Sequence, residues 1–157
     1  MPAKNKLSLG VQYADARLAT QLTRPLVRRW VQAALFAPAA LTIRFVDATE
    51  GRALNRDYRG KDYATNVLTF AYGEDENGLA GNAGVTHADI VLCSDVLLQE
   101  AADLAIPLPQ HAAHLVVHGV LHAQGYDHEE DDDAAEMAQC ETAILAALGL
   151  PDPYALP

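Results

Sequence analysis

The strand-type and helix-type patterns of this sequence lie in different parts of the chain, and this separation constrains the fold more than any other feature. Strand patterns are confined to the first 93 residues and cover 7–13, 41–46, 66–72 and 88–93. Helical patterns fall between them at 24–36 and 49–59, and from Asp95 onward they are the only type, at 95–105, 109–124 and 131–148. Strands early and helices late predict an α+β fold, a mostly four-stranded mixed sheet covered by helices.

Turn and cap residues support these boundaries. Thr23 stands directly before Arg-Pro, as the N-cap of a helix does. Gly60 can close the short helix in a left-handed conformation, and either Ser94 or Asp95 is the predicted N-cap of the helix after the last strand. Residues 73–86 are rich in Gly, Asn and acidic residues, which indicates a loop or hairpin.

The length of 157 residues, half of them apolar, predicts one compact domain over residues 1–157. The first ten residues lack a signal-type apolar stretch, and no segment approaches the ~20 apolar residues of a membrane span, so we expect a cytoplasmic location and no membrane partner. Cys93 and Cys140 form no CxxC pair and are expected to be reduced, buried thiols.

The net charge of −10 argues against a general nucleic-acid binder, because an acidic field repels phosphate backbones. The charge is unevenly distributed, however. Residues 1–61 hold all eleven Lys and Arg and four acidic residues, a net +7, whereas residues 62–157 hold seventeen acidic and no basic residues, a net −17. If the fold gathers the basic side chains on one face, that face can bind an anionic polymer; scattered solvated charges are an equal alternative.

Three histidines with metal-ligand spacing lie near the end of the predicted helix 109–124. His118 and His122 are four residues apart, which places both imidazoles on one helical face. Gly125 can end the helix in a left-handed turn and return the chain, so that His128 reaches the same point. This zincin-like HxxxHxxGxxH spacing predicts one Zn²⁺ per chain held by the three histidines, with a fourth position open for water, as in catalytic sites.

The residue after the first predicted ligand disfavours peptide hydrolysis. Metalloproteases with this spacing carry Glu there as general base, whereas this chain has Gly119. A metallopeptidase-like hydrolase is therefore only an alternative. His111 and His114 extend the histidine stripe towards the start of the helix, and His114 is either a neighbour of the metal site that shuttles protons or, more simply, a buried hydrogen-bonded histidine.

Four stretches of the chain carry a resemblance to known proteins. They are HGVLHAQGYDH at 118–128, LNRDYRGKDYATNVLTF at 54–70, ADIVLCSDVL at 88–97, and GLPDPY at 149–154 after an acidic helix through Glu141. Together they resemble the bacterial YbeY family of metal-dependent endoribonucleases. Departures from the family pattern occur at Ala71, at His87-Ala88 and at Ala123-Gln124, positions that affect packing and the groove around Asp89 rather than metal ligation.

The resemblance implies His118, His122 and His128 as zinc ligands and Arg59 as the basic residue of the active-site groove, and His114 matches a histidine common in the family. It implies a single-strand-specific, zinc-dependent endoribonuclease that acts in rRNA maturation and ribosome quality control. The implied partners are rRNA precursors, ribosomal particles, and ribosomal or assembly proteins. Arg59 also makes chemical sense by itself, because a guanidinium near zinc can bind a scissile phosphate in bidentate fashion; a solvated arginine at a helix end is the alternative.

Two questions stay open at the level of sequence. A ribosome-associated assembly factor whose zinc is mainly structural is the other alternative function. Asp89 and Asp127 either orient ligand imidazoles as neighbouring carboxylates or cap turns.

Overall fold

A four-stranded sheet forms the centre of the fold. The computed structural model describes residues 5–72, 85–126 and 131–154. Its strands, in the spatial order β1-β2-β4-β3, are β1 (Leu7–Tyr13), β2 (Ala39–Val46), β3 (Val67–Ala71) and β4 (Thr86–Cys93). β1, β2 and β4 are parallel, whereas β3 pairs antiparallel with β4 and forms an edge of the sheet. This mixed sheet confirms the predicted α+β fold.

Five α-helices surround the sheet in the described part of the chain. They are α1 (Arg24–Ala33), α2 (Ala48–Arg59), α3 (Ser94–Leu104), α4 (Leu108–Ala123) and α5 (Asp131–Ala147), with a 3₁₀ turn at Ala16–Leu18. α4 is the central helix, since it contacts α1, α3, α5, β3 and β4. None of the helices described is long and apolar enough to cross a membrane.

The two faces of the sheet carry cores of different size. Successive side chains of a strand point to opposite faces, so Ile90 of β4 joins the main core with α1, α3 and α4, while Val91 points to the other face. There Val91, Val46 and Leu68 form a small cluster against Leu54 of α2. α2 therefore lies on the face opposite α4.

Local chemistry explains where α1 and α2 begin and where α2 ends. The Thr23 hydroxyl accepts a hydrogen bond from the Leu26 amide at 3.4 Å, and Asp47 accepts one from the Glu50 amide at 2.9 Å. Gly60 ends α2 with a φ of 70°, a left-handed conformation in which a residue without Cβ suffers no clash. The predicted N-cap at Thr23 and the predicted C-cap at Gly60 are both confirmed.

Two predictions about helix ends were wrong, and β2 and β4 each begin two residues before their predicted starts. α1 ends at Ala33, not at Phe36, because side chains bind the backbone groups that a longer helix would pair: the Gln124 amide donates to Ala34 O at 2.7 Å and accepts from Phe36 N at 2.8 Å. Neither Ser94 nor Asp95 caps α3, which starts at Ser94 after Cys93. Asp95 instead accepts hydrogen bonds from the Ala48 amide at 2.6 Å and from Arg17 at 2.7 Å, and so ties α3 to the start of α2. Of the loop or hairpin predicted at 73–86, residues 73–84 lie outside the described residues.

Candidate functional site

His118 and His122 lie side by side on the last turns of α4. Their ring centroids are 4.7 Å apart with an interplanar angle of 79°. α4 ends at Ala123, Gly125 follows with a φ of 102°, and the Tyr126 amide donates back to Leu121 O at 3.1 Å. The chain thus leaves the helix in the left-handed turn that the glycine predicts. His128 and Asp127 lie outside the described residues, so the third ligand stays a prediction.

A buried carboxylate holds the first of these histidines. Glu141 of α5 is 1% exposed, and its Oε1 accepts a hydrogen bond from His118 Nδ1 at 2.7 Å. Its Oε2 accepts a hydrogen bond from the Tyr154 hydroxyl. Because a carboxylate only accepts, Nδ1 of His118 carries the hydrogen, and in the neutral imidazole Nε2 then keeps the lone pair that a metal needs.

The surroundings of Glu141 favour its ionised form. Burial by itself raises the pKa of the Glu141 carboxyl, but hydrogen bonds from His114, His118 and Tyr154 outweigh burial and lower this pKa to about 2. Partial burial of Tyr154 and its hydrogen bond to the Glu141 carboxylate raise the pKa of the Tyr154 phenol. Glu141 is therefore a charged acceptor and Tyr154 a neutral donor at physiological pH.

His114 belongs to this network and not to the cleft lining. Its Nε2 lies 3.3 Å from the Tyr154 hydroxyl and 3.4 Å from Glu141 Oε1. These contacts agree with the simpler interpretation of His114 as a hydrogen-bonded histidine, and a catalytic role for His114 stays a prediction. His111, three residues before His114 on α4, pairs with Glu100 at 2.9 Å in the contact between α3 and α4.

A cleft of about 780 Å³ opens over His118 and His122. Its opposite wall consists of the end of α2, the following loop and strand β3. Arg59 lies on this wall, where its Nη2 donates to Thr69 O at 3.4 Å. Residues lining the cleft are Asn55, Arg59, Lys61, Tyr63, Thr65, Asn66, Val67, Leu68, Thr69, Ala71, His118, His122, Gly125 and Tyr126. The fold thus brings the predicted phosphate-binding arginine into the same cleft as two predicted zinc ligands.

Gly119 lies where α4 packs closely against the sheet. A Cβ at this position would meet Cγ2 of Ile90 at 2.8 Å and Oγ1 of Thr69 at 3.4 Å. Ile90 is fully buried, so its branched side chain has no free volume into which to move. The position that carries the general base in metalloproteases has no room for a side chain here.

Sequence reasoning missed Glu141 as a functional residue. Its signal is its place in the buried stripe of α5, since Met137 and Leu145, four residues before and after it, are 1% and 2% exposed. A carboxylate in an apolar stripe needs partners, and a histidine pair on a neighbouring helix is one such partner. Asp89 lies within β4 rather than at a turn, and it accepts a hydrogen bond from the Tyr72 hydroxyl at 2.8 Å; an orienting role towards a ligand imidazole stays a prediction.

The donor set fits a metal ion as far as it is described. Two adjacent imidazoles, one with its Nδ1 held by a carboxylate, are the arrangement in which histidine binds zinc. Residues 5–72, 85–126 and 131–154 contain no group of three or more His, Cys, Asp or Glu able to hold a metal ion. His128, which lies outside the described residues, stays the predicted third ligand.

Comparison with known proteins gives the family. The family model described as Endoribonuclease YbeY matches residues 11–149. The chain is 64% identical over 151 residues to Endoribonuclease YbeY of Herminiimonas arsenicoxydans, covering 96% of this chain and 97% of that protein. It is 63% identical to the protein of the same name from Janthinobacterium sp. (strain Marseille), covering 98% of each.

A solved structure supports the fold alone. The solution structure of TM1509 from Thermotoga maritima superposes with a TM-score of 0.51 at 19% identity, covering 94% of this chain and 99% of that one.

The family match spans both walls of the cleft, from α2 and β3 to the histidine pair of α4. The chain therefore belongs to the YbeY family.

Proposed function

We propose that this protein is a zinc-dependent endoribonuclease that cuts single-stranded RNA and acts in rRNA maturation and ribosome quality control in the cytoplasm. The observation that carries the proposal is the cleft itself, in which Arg59 faces the pair His118 and His122 in a chain whose relatives are named endoribonucleases. rRNA precursors and ribosomal particles are the proposed substrates, and ribosomal or assembly proteins are proposed partners.

His118, His122 and His128 would hold one zinc ion. Zinc supplies a Lewis acid for phosphodiester cleavage when it is bound. Glu141 keeps the His118 ring in the tautomer and orientation that expose Nε2, and Tyr154 keeps Glu141 in place. On the α4 wall of the cleft the protein thus supplies a metal-binding imidazole, that of His118, whose orientation is already set.

Arg59 would bind the scissile phosphate from the opposite wall. Its guanidinium has only the long contact to Thr69 O among the described residues, so its other donors are available for a phosphate. Arg59 and Lys61 are the two cations of the cleft lining, and they come from the basic part of the chain. A single strand can bend a phosphate into such a cleft more easily than a duplex can.

The alternatives differ in what they predict for the same experiment. Metal-loaded protein and its His118→Ala variant are incubated with single-stranded and structured RNA, with ribosomes and with casein. RNA cleavage by the parent but not by the variant supports the proposal. Binding to ribosomes without cleavage would favour an assembly factor with a structural metal, and cleavage of casein would favour a peptidase, a function that the packing of Gly119 disfavours.

A further inference from the structure

Side-chain contacts anchor the loop after α2, which contains no helix or strand. This anchored loop, residues 60–66, connects Arg59 to β3. The Asn55 amide, 2% exposed, donates to Tyr63 O at 2.8 Å. Arg52 binds both carboxylate oxygens of Asp62 at 2.7 and 2.9 Å, and Asn66 donates to Glu100 at 3.1 Å. Three contacts thus anchor a segment that lines the cleft, one through its backbone at Tyr63 and two through the side chains of Asp62 and Asn66.

Two side chains of the anchored loop line the cleft without a partner among the residues that the structure describes. Lys61 and Tyr63 are both exposed, and neither side chain has a hydrogen bond, ion pair or ring contact with a described residue, although their backbones bind Asn55. Tyr63 is 53% exposed. The other exposed tyrosines are engaged in the described part of the chain, because Tyr58 packs edge-on against Phe70, and Tyr72 and Tyr154 donate hydrogen bonds.

An anchored loop that presents an aromatic ring and an ammonium group, both without a partner among the described residues, is suited to a single-stranded polynucleotide. An unpaired base can stack on a tyrosine ring, whereas the bases of a duplex already stack on each other. Because the loop is held by Asn55, Arg52 and Asn66, little conformational entropy is lost when a strand binds. Tyr63 is four residues from Arg59, at most about 14 Å along the chain, which is within reach of a few nucleotides.

We propose that Tyr63 and Lys61 form a nucleotide subsite beside Arg59, in which one base stacks on the Tyr63 ring and a neighbouring phosphate binds Lys61. The inference rests on the proposed function for its substrate class, single-stranded RNA. Stacking and a single charge contact do not read base identity. The subsite therefore selects unpaired strands over duplexes and tolerates many sequences.

The test measures binding of a fluorescent single-stranded RNA by anisotropy, with metal-loaded protein, alongside cleavage of the same RNA. Tyr63→Ala is expected to weaken binding about tenfold, whereas Tyr63→Phe, which keeps the ring, retains parent affinity. An RNA with an abasic nucleotide at the stacked position should bind parent and Tyr63→Ala equally. Lys61→Ala should lower affinity for all strands alike and reduce the salt dependence of binding by about one phosphate contact.

Matched controls separate the subsite from general effects. Tyr72→Ala removes an exposed tyrosine outside this cleft, and Arg29→Ala removes an exposed cation of α1; both should bind RNA as the parent does. Circular dichroism verifies that each variant is folded.

The outcomes distinguish the subsite from the proposed function. Cleavage by the parent together with unchanged binding by folded Tyr63→Ala would overturn the subsite and leave the function standing. RNA binding that depends on the Tyr63 ring but is not followed by cleavage would support the subsite and contradict the proposed endoribonuclease function. Absence of both binding and cleavage by the parent would overturn both.

Discussion

Glu141→Gln isolates the charge that acts on the proposed metal ligand His118. Gln has the same shape, so its carbonyl oxygen can still accept from His118 Nδ1 and its amide can donate to the Tyr154 hydroxyl. Folding is expected to persist, while the 2.7 Å hydrogen bond changes from a charged to a neutral acceptor. A neutral acceptor leaves the imidazole less basic and less firmly oriented towards a metal.

The expected loss of zinc affinity is about tenfold to a hundredfold, the usual effect of removing a carboxylate behind a ligating histidine. This range corresponds to about 1.4–2.7 kcal/mol. It agrees with the structure, because a hydrogen bond to a charged group contributes roughly 1.5–3 kcal/mol and a neutral one about half as much, so the lower end is expected. Competition with a fluorescent chelator at neutral pH measures the zinc Kd directly.

The chain offers a matched control for this substitution. Glu100 forms a second Glu–His pair with the same helix, 2.9 Å from His111, but His111 is absent from the cleft lining. Glu100→Gln should leave the zinc Kd unchanged. Equal zinc affinity of folded Glu141→Gln and parent protein, or an equal loss in both variants, would refute the reasoning that Glu141 acts through His118.

The remaining predictions concern the metal, the phosphate, the helix packing and acid stability. Elemental analysis should find about one zinc per chain, lost in His118→Ala, His122→Ala and His128→Ala, and full zinc in the last variant would remove that histidine from the site. Arg59→Glu should keep zinc content and thermal stability yet abolish RNA cleavage and weaken RNA binding at matched salt. Arg59→Lys should be intermediate, because it keeps the charge but loses the planar fork of the guanidinium. Parent-like cleavage by Arg59→Glu would show that Arg59 is a surface residue without a role in phosphate binding. Gly119→Ala should lower the free energy of unfolding by about 1–3 kcal/mol in denaturant titrations, since its Cβ would meet Ile90 at 2.8 Å, and a stabilised variant would contradict this packing. The pKa of the Glu141 carboxyl is about 2 in the folded protein, below its ordinary 4.5, so ionised Glu141 stabilises the fold fully above about pH 4.5 and this stabilisation is lost as the pH falls towards 2. The unfolding free energy of metal-free Glu141→Gln should therefore depend less on pH over this range than that of the metal-free parent. Parallel curves for the two proteins would contradict this prediction.

The parts of the fold that follow from local chemistry were predictable from sequence. The helix that carries His118 and His122 was placed within one residue at each end, because Pro107 and Gly125 bracket a strong helical pattern. The spacing of four residues alone places the two imidazoles together. The left-handed turn at Gly125 could also be expected from sequence, because a glycine just past a helical pattern favours this conformation.

The parts that depend on contacts between distant segments were not predictable. Gln124 ends α1 although the two are some ninety positions apart in sequence, and no local pattern contains that information. Asp95 fails as an N-cap because Ala48 and Arg17 compete for its carboxylate. Glu141 is the instructive case, since the sequence placed it only in an acidic helix after the histidine run, whereas the tertiary structure buries it against His118.

The close approach of α4 to β4 also limits how this scaffold can evolve. A route from this site to a peptidase that uses a glutamate next to the first histidine meets a packing conflict at that glutamate, because its Cβ would lie 2.8 Å from Cγ2 of Ile90. Truncation of Ile90 would relieve the conflict, but that step opens a cavity in the main core at a cost of about 2–5 kcal/mol. The two changes are mutually dependent, each harmful without the other, so a population would have to cross a fitness valley. Directed evolution by single substitutions should therefore leave Gly119 unchanged, whereas a library that varies positions 90 and 119 together can reach sequences that stepwise selection cannot.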